Sequence, residues 1–166
     1  LKTDLSLKEK TNSQYQYKGS IGSSGFNVGR FLAVEGMSNI SFDLNVDGSG
    51  LDAQSIDAKA KGKVNSFAFK NYNYQNIELN GRFLKKTFNG KVIAKDPNLV
   101  FDFNGKINTN QRRPTSQFNL NIQKANLAKL NLFNSKDSLT TLSFNAFLNI
   151  KGKDIDDIEG VAYIDS

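Results

Sequence analysis

The sequence predicts an all-β chain laid out as a meandering antiparallel sheet. Three observations carry this. Apolar and polar residues alternate with a period of two almost end to end. Turn-forming residues interrupt the alternation at intervals of about 8–15 residues. No amphipathic stretch is long enough for a helix that would cover a sheet.

Taken in order, the chain opens with a loose glycine run, Gly19, Gly22, Gly25 and Gly29, which reads as a flexible or bulged strand connection. No helix follows it to receive a phosphate. Ile40, Phe42, Leu44 and Val46 then share one face against Ser41, Asp43 and Asn45. Ile56, Ala58, Ala60 and Val64 alternate with Asp57, Lys59, Lys61 and Lys63. Leu99, Phe101 and Phe103 form a further run, as do Phe118, Leu120 and Ile122. The last long run sets Leu142, Phe144, Ala146, Leu148 and Ile150 on one side. Turns are expected at Asp47-Gly48-Ser49-Gly50, Asn71-Tyr72-Asn73, Asp96-Pro97-Asn98 and Gln111-Arg112-Arg113-Pro114, giving at least ten strands. One or two helical turns are expected around Ala125–Leu132, where Leu127 and Leu130 stand three apart.

A repeat of the form apolar-x-Gly-x-apolar overlies the alternation, at Gly62, Gly81, Gly90, Gly105 and Gly160. Each glycine falls where an inward side chain is expected. The reading is tight bending or close approach of another element, with lumen space left unfilled, against ordinary bulges in a β-sandwich.

A sheet with one bulky apolar face must hide it, and without helices sheet must cover sheet. A closed sandwich, a barrel, a β-helix and a U-shaped trough all satisfy this. Short connections and inward glycines favour the trough. The predicted fold is therefore a meandering antiparallel sheet curved into a taco-shaped or β-helix-like groove with an apolar interior, as a single segment over residues 1–166.

The residues predicted to line that groove are Ile40, Phe42, Leu44 and Val46; Ile77 and Leu79; Phe88 and Val92; Leu99, Phe101 and Phe103; Phe118, Leu120 and Ile122; and Leu142, Phe144, Leu148 and Ile150.

Composition removes much chemistry. With no Cys and no His there is no disulfide framework, thiolate nucleophile, His general base or soft metal site. The net charge of +6 is spread along the chain, mostly as Lys, and reads as solubilising charge on strand faces. Lys59, Lys61 and Lys63 line one strand face, with Lys85-Lys86 and Arg112-Arg113 near turns. The Phe residues mostly fall on the opposite, apolar face instead of beside these cations, which argues against nucleic acid.

Asp43-x-Asn45-x-Asp47-Gly48 imitates the start of a calcium loop, but its twelfth position is Gln54 and a strand runs through it. Asp154, Asp156, Asp157 and Glu159 cluster at what reads as a solvated turn, not an acid–base pair. The expectation is no enzyme, no cofactor and no metal.

Four stretches share a degenerate β-repeat texture. Tyr72-Asn-Tyr74-Gln-Asn76-Ile77-Glu-Leu79-Asn-Gly81, followed by Phe88-Asn-Gly90-Lys, is one. Asp96-Pro97-Asn98-Leu99-Val-Phe101-Asp102-Phe103-Asn104-Gly105 is a second. Asn149-Ile-Lys-Gly152 with Ile155-Asp156-Asp157-Ile158-Glu-Gly160 is a third, and Ala125-Asn126-Leu127-Ala128-Lys129-Leu130-Asn131-Leu132 is a fourth. These stretches resemble the C-terminal half of TamB (translocation and assembly module) proteins in the AsmA-like superfamily, especially those of Bacteroidota, the fourth fitting a recurrent family phrase. The resemblance covers about 100 residues from Tyr72 onward, and its motifs are degenerate β-repeats with no invariant functional residue to transfer.

The resemblance implies a long periplasmic protein, anchored in the inner membrane and reaching the outer membrane, with a TamA-like barrel partner and a role in phospholipid transport or outer-membrane protein assembly. A first residue other than Met fits an excised piece of such a protein. On this reading the groove receives phospholipid acyl chains. The competing reading is a closed β-sandwich, such as a surface adhesin or carbohydrate-binding module. Grouping of Tyr15, Tyr72 and Tyr74 outside a filled interior would favour it.

Overall fold

In a computed structural model the chain forms ten strands: β1 (Lys2–Lys10), β2 (Gln14–Asn27), β3 (Met37–Ser49), β4 (Asp57–Phe69), β5 (Tyr72–Leu84), β6 (Thr87–Lys95), β7 (Leu99–Asn108), β8 (Thr115–Asn126), β9 (Thr141–Lys151) and β10 (Glu159–Asp165). The structure describes residues 2–10, 14–27, 37–50, 52, 54–109, 114–132, 141–152 and 159–165. All ten strands belong to one antiparallel sheet, in chain order, open at β1 and β10. The all-β meander is as expected. Among the described residues there is one sheet and not the two layers of a sandwich.

Short turns enforce this order. Lys70 and Asn71, at φ 47° and 62°, make the two-residue connection of the β4–β5 hairpin. Turns with both central residues at positive φ match the right-handed twist of the strands they join. Asp96-Pro97-Asn98 joins β6 to β7, and Lys85 and Lys86 lie between β5 and β6. The turn expected at Asp47-Gly48 falls elsewhere. Asp47, Gly48 and Ser49 remain in β3, paired with Lys59, Ala58 and Asp57, because cross-strand pairing continues to the first residue of β4. Likewise Gly19, Gly22 and Gly25 lie within β2, not in a connection, with a register shift between Ser23 and Phe26. Gly29, Arg112, Arg113 and Asp154 to Asp157 lie outside the described residues.

The register places apolar positions in rows across the sheet. One row runs Phe42, Val64, Ile77, Ala94, Phe101, Ile122, Phe144, from β3 to β9. The next runs Leu44, Gly62, Leu79, Val92, Phe103, Leu120, Ala146. A third runs Val46, Ala60, Gly81, Gly90, Gly105, Phe118, Leu148. Side chains two apart on a strand share a face, so these rows make one apolar surface.

The glycines are not vacancies in that surface, which corrects the expectation of unfilled lumen space. A Cβ on Gly81 would meet the Phe88 ring at 2.5 Å, so the ring occupies that space. A Cβ on Gly90 would lie 2.4 Å from the Cα of Gly81, since the two face each other across β5 and β6. Phe83, Phe88, Phe103 and Phe118 thereby form a running ladder, with ring centroids 5.0, 6.1 and 5.1 Å apart. Phe103, at its centre, is 9% exposed. No helix or second sheet covers it among the described residues, so its neighbours on the same face close over it.

One margin of the face has a roof. The helical turn expected near Ala125–Leu132 is present but shorter, because Ala125 and Asn126 still belong to β8. Leu130 N–H donates to Asn126 O at 3.0 Å and Leu132 N–H to Leu127 O at 3.0 Å, while Asn126 Oδ1 accepts from Lys129 N–H at 3.0 Å. This cap satisfies an amide that a short turn otherwise leaves orphaned. The turn places Leu130, fully buried, against Tyr74 and Ala125, with Phe67, Phe69, Tyr72, Ile77, Leu99, Ile122 and Leu127 packed around them. Asn131 Nδ2 donates to Lys70 O at 3.1 Å, tying the turn to the β4–β5 hairpin across the shorter β6 and β7.

Truncating Leu130 to Ala is expected to cost about 2–5 kcal/mol, the range for a fully buried leucine. Placing Leu at Gly81, which displaces the Phe88 ring, is expected to cost about 1–3 kcal/mol. Urea titration of each variant reads both effects as a lowered midpoint at unchanged slope; unchanged midpoints would show that roof and ladder do not stabilise the sheet.

Candidate functional site

All eighteen residues predicted to line a groove lie on the one apolar face. They come from β3 (Ile40, Phe42, Leu44, Val46), β5 (Ile77, Leu79), β6 (Phe88, Val92), β7 (Leu99, Phe101, Phe103), β8 (Phe118, Leu120, Ile122) and β9 (Leu142, Phe144, Leu148, Ile150). Most are half-buried, Phe103 is buried, and Leu142 is exposed. A packed two-layer core would have buried nearly all of them.

The prediction missed Phe67, Phe69, Tyr72 and Tyr74, which join this face at its roofed margin. The reason is a change of phase. Phe42 pairs with Val64 but Ser41 pairs with Ser66, so Asn65 is an extra residue in β4. Opposite it in β5 stands Asn76, at φ 56°. An extra residue bends the strand and turns every later side chain to the other face. Similar shifts occur between Ser23 and Phe26 in β2 and between Ile122 and Ala125 in β8. The signal was present, since apolar residues step by three from Val64 to Phe67 and from Ile122 to Ala125. Tyr72 and Tyr74 therefore face inward, their rings 4.7 Å apart and edge to face, and are not grouped outside with Tyr15.

A buried carboxylate anchors this margin. Asp96, 2% exposed, accepts from Tyr72 Oη at 2.5 Å, Asn98 N–H at 2.8 Å and Gln75 N–H at 3.0 Å. Asn98 Nδ2 adds a bond to Tyr72 Oη at 3.1 Å. Three donors replace the water that the carboxylate loses, which is the condition for burying it. Regular pairing of β5 with β6 ends at Ile77 and Ala94, so Asp96 ties the β6–β7 turn to β5 just beyond. Burial, and then the bond to Asp96, raises the Tyr72 phenol above its ordinary value; burial, and then the Asp96 charge, does the same for Tyr74.

The opposite face is polar. Lys59, Lys61 and Lys63 project there and are exposed. Lys18 pairs with Asp47 at 3.1 Å, Lys91 with Asp102 at 3.2 Å, and Arg82 reaches Asp57 with two bonds of 2.8 and 2.9 Å. The Arg82 bonds hold the Asp57 carboxyl below its usual range. Exposed pairs of this kind contribute little to stability. Asp43, Asn45 and Asp47 point outward along β3 instead of converging, with Asp43 accepting from Asn65 Nδ2 at 2.7 Å. Among the described residues, no three or more His, Cys, Asp or Glu side chains gather with metal-holding geometry, and no helix is long and apolar enough to cross a membrane.

Comparisons with models of known families, with curated proteins and with solved structures find no match for this chain.

Replacing Asp96 by Ala orphans three donors and is expected to cost about 1–3 kcal/mol in urea titration. Because the folded Tyr72 and Tyr74 pKa values lie above the unfolded ones, their contribution is complete below about pH 10 and lost as pH rises through the folded values. A Tyr72→Phe/Tyr74→Phe variant is expected to lose stability less steeply than the parent above about pH 10. Parallel alkaline profiles would show that the phenols are not the groups responsible.

Proposed function

We propose that this chain is a non-enzymatic segment of a TamB-like periplasmic bridge between inner and outer membranes, its apolar face sheltering phospholipid acyl chains in transit. The observation that carries the reading is one unbroken apolar face, built from the same side of successive strands and only half-covered by the chain itself. The rows from β3 to β9 cross six inter-strand spacings of about 4.8 Å, roughly 29 Å, close to the ~30 Å hydrocarbon core of a bilayer.

The chemistry required is modest. Exposing an acyl chain to water costs about 0.8 kcal/mol per methylene, so a chain of about 16 carbons meets a barrier on the order of 12 kcal/mol. Contact with Phe, Leu and Ile side chains replaces one apolar environment with another and removes most of that barrier. Headgroups stay in water, and no residue needs to react. Successive rows of similar apolarity favour sliding over fixed binding.

A role in outer-membrane protein assembly fits the edges of the same sheet. All seven residues of β10 are exposed and, among the described residues, the strand pairs only with β9, which suits addition of a further strand from a TamA-like barrel or a nascent substrate.

Phe101 and Phe144 occupy one cross-strand row, half-buried and separated by Ile122. Phe101→Asp and Phe144→Asp are each expected to lower capture of phospholipid from phosphatidylethanolamine–phosphatidylglycerol vesicles at least tenfold, because an unpaired carboxylate interrupts the apolar path. The readout is lipid photo-crosslinked to a reactive group at position 120, with melting temperature measured in parallel. Undiminished capture by folded variants would sink the conduit reading.

A further inference from the structure

The polar face carries a second feature that acyl-chain passage leaves unused. An open depression of about 960 Å³ lies toward the β10 edge, bounded by Lys91, Asp102 and the amides of Asn104, Asn119, Asn121 and Asn145 on one side. Phe147 and Tyr163 form its other wall, directly opposed in register, with rings stacked 6.3 Å apart at 26°. Tyr163 is 68% exposed. An aromatic pair on the solvated face of the sheet, beside four carboxamides, stands apart from the lysines, asparagines and ion pairs described on that face.

We propose that this depression binds an uncharged pyranose oligosaccharide. The aromatic wall offers a flat, electron-rich surface to the C–H face of a sugar ring, whose hydrogens carry partial positive charge. The carboxamides supply what hydroxyls need, since each offers two N–H donors and a carbonyl acceptor. Two amide pairs stand opposite one another, Asn104 with Asn119 and Asn121 with Asn145, and the Asn121 amide donates to Asn145, which fixes their orientation. The volume lies at the upper end of the ~300–1,000 Å³ usual for ligand sites. From β6 to β10 the depression crosses four strand spacings, roughly 19 Å, which suits a chain of sugars better than a single ring.

Charge selects the ligand class. The chain as a whole is +6, yet here Lys91 is paired with Asp102 at 3.2 Å and Asp165 stands at the rim. The local balance is one positive against two negative groups, which repels phosphate-rich polymers. The amides, in turn, would lose their water to an acyl chain without gaining partners. A neutral polyhydroxyl ligand avoids both costs.

The test titrates the ¹⁵N-labelled chain with chitohexaose, cellohexaose and maltohexaose, each to about 5 mM, a range that detects the weak end of specific affinities. The expected result is that at least one shifts the amides of Asn119, Asn121, Phe147 and Tyr163. Tyr163→Ala and Asn119→Ala are then expected to weaken binding at least tenfold, Tyr163→Phe to retain it, and phospholipid capture to stay unchanged in all three. Tyr163 is exposed on an edge strand, so its removal leaves the sheet folded, and the melting temperature verifies this. No shift with any of the three sugars overturns the proposal, as do shifts that persist in Tyr163→Ala or that report only an extended peptide titrated in the same way. Loss of phospholipid capture in Phe101→Asp bears on the other face alone.

Discussion

The structure depends on one constraint: a single layer of sheet must cover its own apolar face. A two-layer protein buries a phenylalanine by placing another element on top of it. Here, among the described residues and away from the roofed margin, the cover comes from side chains on adjacent strands of the same face. Phe83, Phe88, Phe103 and Phe118 therefore lean over one another, and the missing side chain of Gly81 gives the Phe88 ring its room. Alanines at positions 58, 60, 94 and 146 are buried for the same reason, being small residues overtopped by larger neighbours. Such a surface is screened from water but not filled.

At one margin the chain departs from this economy. Extra residues in β2, β4 and β8 interrupt the regular register, and the tips of β4 and β5 meet the turn after β8 through Leu130. The result is a small cluster of ordinary core character, with a fully buried leucine and a buried, three-fold satisfied carboxylate at Asp96. This is where interactions distant in sequence are made, as between Asn131 and Lys70. The rest of the sheet is held by nearest-neighbour strands. The roofed margin thus fixes one side of the apolar face, and the remaining rows stay accessible.

The two faces separate two kinds of chemistry. The apolar one asks for continuity rather than for any particular residue, which is consistent with degenerate repeats and with proposed transit of acyl chains. The polar one is mostly lysine, asparagine and exposed ion pairs, and its departure from that pattern at Phe147 and Tyr163 carries the saccharide proposal. Period-two alternation lets both properties coexist, because neighbouring residues point to opposite sides wherever no extra residue interrupts the strand.

Alternation in the sequence determined the all-β class, the ten strands and the eighteen residues of the apolar face, because a period of two is a local property of an extended backbone. It also located the Leu127–Leu130 turn. What it did not determine was decided by pairing between strands. Register assigned Asp47 and Gly48 to β3 rather than to a turn, and an extra residue at Asn65 moved Phe67, Phe69, Tyr72 and Tyr74 onto the inner face. Gly81 reads locally as an empty position, yet a ring from the neighbouring strand fills it. The choice of one open sheet over two packed layers was likewise tertiary. Alternation states that a face is apolar, whereas only the geometry between strands decides what covers it.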